Sequence, residues 1–277
     1  MSVGVEESYR YCRDVARRRA RNFYYSFVLL PREQKMAMCA VYAFMRFCDD
    51  LSDEAGASTA AIDRWHEELD AALDGRMPDN PLWPAFCDTV ARFRIPRQYF
   101  TDMIAGVRSD LEPRTIETFE DLYQYCYRVA SVVGLTTIHI FGFESPEALP
   151  LAEKCGIAFQ LTNILRDLRE DEEHGRVYLP REDLRRFGVE RMEAGENFRR
   201  LLRFEVERAR EFYTTSRPLL KLIHRRSRPS LWALIEIYRR LLDRIDGAGE
   251  RVLKERVRVP AWEKVGILGR ALLTGAE

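Results

Sequence analysis

The sequence is poor in the residues on which many catalytic and metal-binding scaffolds depend. Its four histidines are scattered too widely for a histidine-based metal site. The six cysteines, Cys12, Cys39, Cys48, Cys87, Cys126 and Cys155, stand singly, without a C-x-x-C pair or zinc-type spacing. They read as small buried side chains in a reducing compartment. Glycine motifs are missing too: DGAGE at 246–250 lies within helical sequence and lacks the third glycine of a dinucleotide fingerprint, and there is no Walker loop and no G-x-S-x-G. Charge of one sign is also absent, since 44 basic residues balance 44 acidic ones, so net charge gives no reason to expect a nucleic-acid partner. The first 25 residues hold Glu6, Glu7, Asp14 and an arginine run but no apolar core of a signal peptide. The longest uncharged run, ending at Phe143, is about 15 residues, short of the roughly 20 that span a bilayer. A cytoplasmic location is the expectation, with no transmembrane segment. The Arg-rich RDVARRRAR at 13–21 reads as a solvated helix face rather than a phosphate or membrane patch.

What remains is helical. Hydrophobic residues make up 46% of the 277, enough for a sizeable core, and they recur at helical rather than strand spacing. Breakers at Pro31, Gly56–Ser58, Met77–Pro84, Pro96, Pro113, Pro146, Pro180, Gly188, Pro229 and Pro260 divide the chain. Helices are expected near 5–21, 32–54, 58–74, 82–94, 97–110, 118–142, 146–173, 194–224, 229–256 and 261–273. No linker interrupts the series, so residues 1–277 read as one all-α domain around a central bundle.

Two segments stand out: VYAFMRFCDDLSDE at 41–54 and FQLTNILRDLREDEE at 159–173. On a helix, Tyr42, Arg46, Asp49 and Asp53 fall within roughly 60° of one another, and Gln160, Asn163, Asp167 and Asp171 within roughly 80°. Apolar residues flank each polar stripe on both sides, as expected for helices buried nearly all round. Buried amides and carboxylates need partners. Two such stripes can satisfy each other through cations, because carboxylates at i, i+4 reach one ion and oxygen-only ligands suit Mg²⁺. The alternative on geometry alone is two ordinary helices ending in solvent, as the trailing Glu170, Glu172 and Glu173 suggest.

The pair DDLSD (49–53) and DLRED (167–171) resembles the two aspartate motifs of the squalene/phytoene synthase family. The surroundings fit: FYYSFVLLPREQKMAMCAVYAFMRFCDDLSDE, YCYRVASVVG at 125–134, CGIAFQLTNILRDLREDEEHGRVYLP at 155–180 and the tail RVRVPAWEKVGILGRALL. The resemblance implies an isoprenoid-synthase helical bundle that joins two prenyl diphosphates head to head (1′-1) with Mg²⁺, or Mn²⁺ in its place. It assigns Asp49 and Asp53 to metal on one side and Asp167 and Asp171 on the other. Gln160, Asn163 and Arg166 would position diphosphates, with Arg46 beside the first cluster and Tyr238 near a diphosphate. Tyr125 matches the family's proton-handling, cation-steering tyrosine. Val129 and Val133 suit a smooth wall for a prenyl tail, although small residues at 130–134 equally suit a close helix–helix contact. Phe23, Tyr42 and Phe44 offer aromatic faces to a passing carbocation. One departure is Ala20-Arg21-Asn22-Phe23 where many members carry Ser-x-Ser-Phe.

The expected reaction is the joining of two farnesyl diphosphates into presqualene diphosphate, with onward conversion to a C30 product. The alternative is phytoene synthesis from geranylgeranyl diphosphate. NADPH is not expected for the first half-reaction. The family also includes non-catalytic assembly factors that lose the aspartates, and this chain keeps all four. Transient contact of an apolar product with a membrane surface is a further expectation.

Overall fold

The computed structural model describes residues 3–19, 26–53, 58–111 and 115–274. Among them there is no strand; the only β pairing is an isolated antiparallel bridge between Phe143 and Ile223. The helices are α1 (Val5–Arg19), α2 (Arg32–Asp53), α3 (Thr59–Leu73), α4 (Trp83–Arg92), α5 (Arg97–Ser109) and α6 (Phe119–Cys126). They continue as α7 (Val132–Phe141), α8 (Ala148–Glu173), α9 (Arg181–Phe187), α10 (Glu196–Ser216), α11 (Leu219–Leu222), α12 (Arg228–Ala248) and α13 (Ala261–Thr274). No helix among the described residues is long and apolar enough to cross a membrane.

Local chemistry explains many of the ends. Ser58 caps α3 by accepting from the Ala61 amide. Thr118 and Asp121 form a reciprocal capping box on α6. Gly188, at φ +64°, closes α9 in a left-handed conformation that a side chain would strain. The structure departs from sequence expectation in four places. Helix α9 was expected to be loop; it is only seven residues long and is held by Arg181 and Glu182 amides donating to the carbonyls of Ile116 and Glu117. The single helix expected over 194–224 breaks at Arg217–Pro218, and that over 229–256 ends where Gly249 takes φ +55°.

The fourth departure positions the site. The helix expected over 118–142 is interrupted by a π-helical turn, Tyr127–Ser131. Such widened turns cost hydrogen-bond geometry and concentrate at functional sites. Two glycines let neighbouring helices press on this turn. A Cβ at Gly156 of α8 would sit 2.5 Å from Ser131 Cα, and one at Gly106 of α5 would sit 2.9 Å from Arg128 Cβ. A third close approach has Gly134 against the Ala152 carbonyl, 3.0 Å from a Cβ position. The small residues of 130–134 therefore serve the helix contact proposed as the alternative to a tail-binding wall.

Core packing disposes of one expected site residue. Phe44 is fully buried, stacked on Phe86 at 4.6 Å and surrounded by Trp65, Trp83 and Phe100. It knits α2 to α3, α4 and α5 and does not line the central cavity, so it offers no face to a carbocation.

Candidate active site

A cavity of ≈ 390 Å³ lies between α2, α5, the π turn, α7, α8 and α12. That volume is within the range of small-molecule sites. Helix α2 contributes Met38, Val41, Tyr42, Met45 and Asp49, and α8 contributes residues from Ala152 to Asp167. Both helices grade from apolar at the N-terminal half to acidic near the C-terminal end. The cavity inherits that gradient: Asp49, Asp110, Gln160, Asn163, Arg166 and Asp167 mark one end, and Phe27, Met38, Met103, Leu219 and Leu231 the apolar remainder. Val129, Ala130, Val133 and Gly134 also line it, so the small residues form a wall as well as a helix contact.

Ten of the residues expected from sequence meet there: Tyr42, Asp49, Tyr125, Val129, Val133, Gln160, Asn163, Arg166, Asp167 and Tyr238. Arg46 does not line this cavity. It pairs with Asp50 and lines a neighbouring cavity of ≈ 350 Å³ with Tyr11, Arg18, Arg19 and Phe47. Asp171 is half-buried one turn beyond Asp167 and outside the cavity lining. Burial, then the charge of Asp167, pushes its carboxyl up to about 7; Arg176 opposes the shift and Asp110 adds to it. Asp53 ends α2, and its side chain lies outside the described residues, as do Phe23 and the whole of Ala20-Arg21-Asn22-Phe23.

Asp167 is held by two arginines. Arg166 Nε donates to Oδ1 at 2.8 Å, and Arg256 Nε lies 3.0 Å from the same oxygen. Arg256 also reaches Glu170 at 2.8 Å, so Glu170 is partly exposed and ion-paired, while Glu172 and Glu173 are exposed. Asn163 donates from Nδ2 to Gln160 Oε1 at 3.3 Å, and its Oδ1 is buried with no partner among the described residues. Tyr238 stacks on Phe159 at 4.3 Å.

Three residues that sequence reasoning passed over complete the site. Asp110 accepts from the hydroxyl of Tyr125 at 3.3 Å and from that of Tyr178 at 3.1 Å, and the two phenol rings stack at 4.9 Å. Burial foremost, with the Asp110 charge behind it, raises Tyr125 and Tyr178 above their ordinary range, so both remain neutral phenols. Arg256 is the third, in the C-terminal RVRVP segment. Asp110 carried one signal: it follows directly on α5, where a carboxylate meets the negative end of a helix and is disfavoured without a cation or donors nearby.

Among the described residues, no group of three acidic, cysteine or histidine side chains converges as a ready-made metal cage. The donor set still suits Mg²⁺, which binds through one or two carboxylates plus substrate phosphates. Asp49, Asp167 and the unpartnered Asn163 Oδ1 are all oxygens facing one cavity.

An all-helical bundle around a cavity with acidic and amide side chains among apolar ones suits a ligand with a charged head and a hydrocarbon tail. The profile of the squalene/phytoene synthases matches residues 16–263, and the chain belongs to that family. It is therefore a prenyltransferase of the head-to-head type. It is 36% identical to a phytoene synthase of Arthrospira platensis over 96% of this chain and 93% of that one. It is 35% identical to a 15-cis-phytoene synthase of Synechococcus elongatus, covering 98% and 94%. Among solved structures, a ligand-bound dehydrosqualene synthase superposes with TM-score 0.91 at 31% identity, covering 98% of this chain and 97% of that one. A squalene synthase of Alicyclobacillus acidocaldarius gives 0.83, also at 31% identity, over 88% and 95%.

Proposed function

We propose that the protein joins two geranylgeranyl diphosphates head to head into phytoene. The observation that carries this reading is identity of about 35% along nearly the whole chain to phytoene synthases. It supports the phytoene alternative better than the farnesyl reading drawn from the sequence, because these relatives are named phytoene synthases.

On this reading Asp49, Asp167 and Asn163 Oδ1 would hold Mg²⁺, with Asp53 and Asp171 one turn further out on their helices. The ion supplies Lewis-acid neutralisation of charge on the departing diphosphate. Arg166 and Arg256 provide charge-assisted hydrogen bonds to the same oxygens. The apolar wall from Val129 to Ile138 excludes water from the allylic cation left behind. Tyr125 keeps its proton and donates a hydrogen bond to Asp110, which makes the phenol oxygen more electron-rich beside the cavity where positive charge migrates. Phytoene keeps a central double bond, so the last cation loses a proton and takes no hydride. A nicotinamide is not required.

The test is a product assay on purified protein with Mg²⁺, offering each diphosphate separately with and without NADPH. A C40 hydrocarbon from geranylgeranyl diphosphate without NADPH is the expected result. C30 products from farnesyl diphosphate alone would overturn the substrate assignment and leave the site intact.

A further inference from the structure

A last cation that becomes phytoene must give up one proton, and some group has to take it. Among the described residues, three carboxylates line the cavity: Asp49, Asp110 and Asp167. Two of them belong to the diphosphate end, Asp167 held by Arg166 and Arg256 and Asp49 in the metal set proposed above. The other ionisable lining groups keep their own protons. Burial pushes the Cys155 thiol and the Tyr42 phenol each up to about 12, and it raises Tyr238 as well. That leaves Asp110 with its two phenols.

The fold aims this carboxylate at the reacting carbons. Those carbons are the ones bonded to diphosphate, so they sit where the polar end of the cavity meets its apolar wall. Tyr125 stands at that junction, four residues before Val129, and its hydroxyl donates to Asp110 Oδ2 at 3.3 Å. Asp110 comes within reach because Gly106, one turn earlier, lets α5 close on the π turn. A Cβ at Gly106 would meet Val129 Cγ1 at 2.9 Å. One hydrogen bond alone would let the carboxylate turn. Tyr178 fixes its other oxygen, donating to Oδ1 at 3.1 Å while its ring stacks on that of Tyr125 at 4.9 Å. Tyr178 does not itself line the cavity. Its loop is tied down just beyond it: Leu179 and Pro180 are buried, and the Arg181 and Glu182 amides donate to the Ile116 and Glu117 carbonyls at 2.9 and 3.0 Å. One oxygen of Asp110 is thus anchored from behind the wall, and the other serves the tyrosine that faces substrate.

We propose that Asp110 is the final acceptor of the proton lost in the last step, and that Tyr178 is the positioning residue that holds Asp110 in place for it. As the C–H bond breaks, its electron pair becomes the second bond of the central double bond. The proton joins the Tyr125 oxygen while the phenolic proton moves to Asp110 Oδ2. Tyr125 is a neutral phenol before and after, and the carboxylate alone changes charge. Water removes the proton from Asp110 once the product has left. A carboxylate is a strong enough base for this task, because a proton beside a carbocation is far more acidic than any side chain. The inference rests on the phytoene reading, whose last step ends in proton loss.

The test compares the parent protein, Tyr178→Phe, Asp110→Asn and the double variant on geranylgeranyl diphosphate with Mg²⁺ and no NADPH. It reads kcat, KM and the ratio of C40 hydrocarbon to C40 alcohol by mass spectrometry. Alcohol forms when water captures a cation that has kept its proton. Tyr178→Phe should lower kcat on the order of tenfold with little change in KM, and shift the ratio toward alcohol. Asp110→Asn should shift it further, and adding Tyr178→Phe to Asp110→Asn should change neither rate nor ratio. A tyrosine that only supports the fold would lower all products together and leave the ratio at the parent value. An unchanged ratio in Asp110→Asn overturns the proposal and makes the departing diphosphate the acceptor. So does a double variant whose loss is the product of the two single losses. A parent that yields no C40 product defeats the phytoene reading instead, and the same four proteins on farnesyl diphosphate, read as C30 hydrocarbon against C30 alcohol, then decide the proton question separately. A parent that makes no hydrocarbon from either diphosphate overturns both.

Discussion

Replacing Gly156 by alanine tests how the fold sets the cavity wall. The new Cβ would lie 2.5 Å from Ser131 Cα and 2.9 Å from both the Ala130 carbonyl oxygen and the Ser131 amide nitrogen. Ordinary carbon contacts begin near 3.5 Å, so the two segments must separate by about 1 Å. All three opposing atoms are backbone, so no side chain can rotate away. Overpacking of this kind costs about 1–3 kcal/mol, and a backbone clash belongs at the upper end. At roughly 2–4 °C per kcal/mol for a chain of this size or slightly smaller, the melting temperature falls by about 6–12 °C. The displaced segment carries Val129 and Ala130 and adjoins Tyr125, so turnover also falls at temperatures where the protein remains folded. The assay is thermal unfolding beside steady-state turnover at 20 °C. An alanine variant melting within a degree of the parent at full activity would refute the close-packed account of the π turn.

Tyr125→Phe and Asp110→Asn should lower kcat by roughly 10²–10⁴-fold with little change in KM, since both act on charge that develops after binding. An unchanged rate and product profile in Asp110→Asn would remove the carboxylate from the mechanism. Asp49→Ala and Asp171→Ala should each abolish Mg²⁺-dependent turnover while far-UV circular dichroism stays unchanged; full activity in either sinks that residue's metal assignment. Glu205, buried with Asp183 against Arg208, is pushed up to about 7, mainly by burial, with Asp183 adding to the shift and Arg208 opposing it. Its native form therefore keeps a proton that the unfolded chain loses near pH 4.5, so stability from this group is complete below that pH and declines up to about pH 7. Glu205→Gln should flatten the decline, gaining on the wild type by up to about 3 kcal/mol between pH 5 and pH 8 in urea unfolding. Parallel pH profiles for the two proteins would contradict it.

The helical class and the two acid-bearing helices were legible because their signals are local. Apolar spacing fixes which faces of α2 and α8 are buried, and i, i+4 spacing puts Asn163 and Asp167 on one line. What stayed hidden depends on through-space packing. The π turn at Tyr127–Ser131 leaves no mark in the periodicity of YCYRVASVVG, because it is allowed by Gly106 and Gly156 on other helices. Asp110 becomes a site residue only when Tyr125 and Tyr178, 15 and 68 residues away, fold onto it. Arg46 shares the stripe of Asp49 in sequence, yet the nearer Asp50 captures it and turns it to the second cavity. Phe44 offered an aromatic face to a carbocation in sequence, yet four other aromatic rings close around it in the core.

The charge of the site points to one more measurement. Helices α2, α5 and α8 each bring a C-terminal region to the same cavity, and each adds a carboxylate there: Asp49, Asp110 and Asp167. Helix C-termini carry partial negative charge, and an acid beside one loses about 0.3–1 kcal/mol where a cation would gain it. Three such ends converging, with Asp171 close behind, is an arrangement that stability alone disfavours. Arg166 and Arg256 relieve it at Asp167. A divalent cation should therefore stabilise the substrate-free protein, weakly, because no three-carboxylate cage is preformed among the described residues. With a dissociation constant on the order of 1 mM, 10 mM Mg²⁺ contributes about 1.4 kcal/mol, or roughly 3–5 °C in melting temperature. Sodium chloride at equal ionic strength should not reproduce the shift, and the doubly substituted Asp49→Asn/Asp167→Asn protein should lose it. Equal melting temperatures in magnesium and sodium salts would mean that the three carboxylates are held by the protein's own cations and donors and wait for nothing.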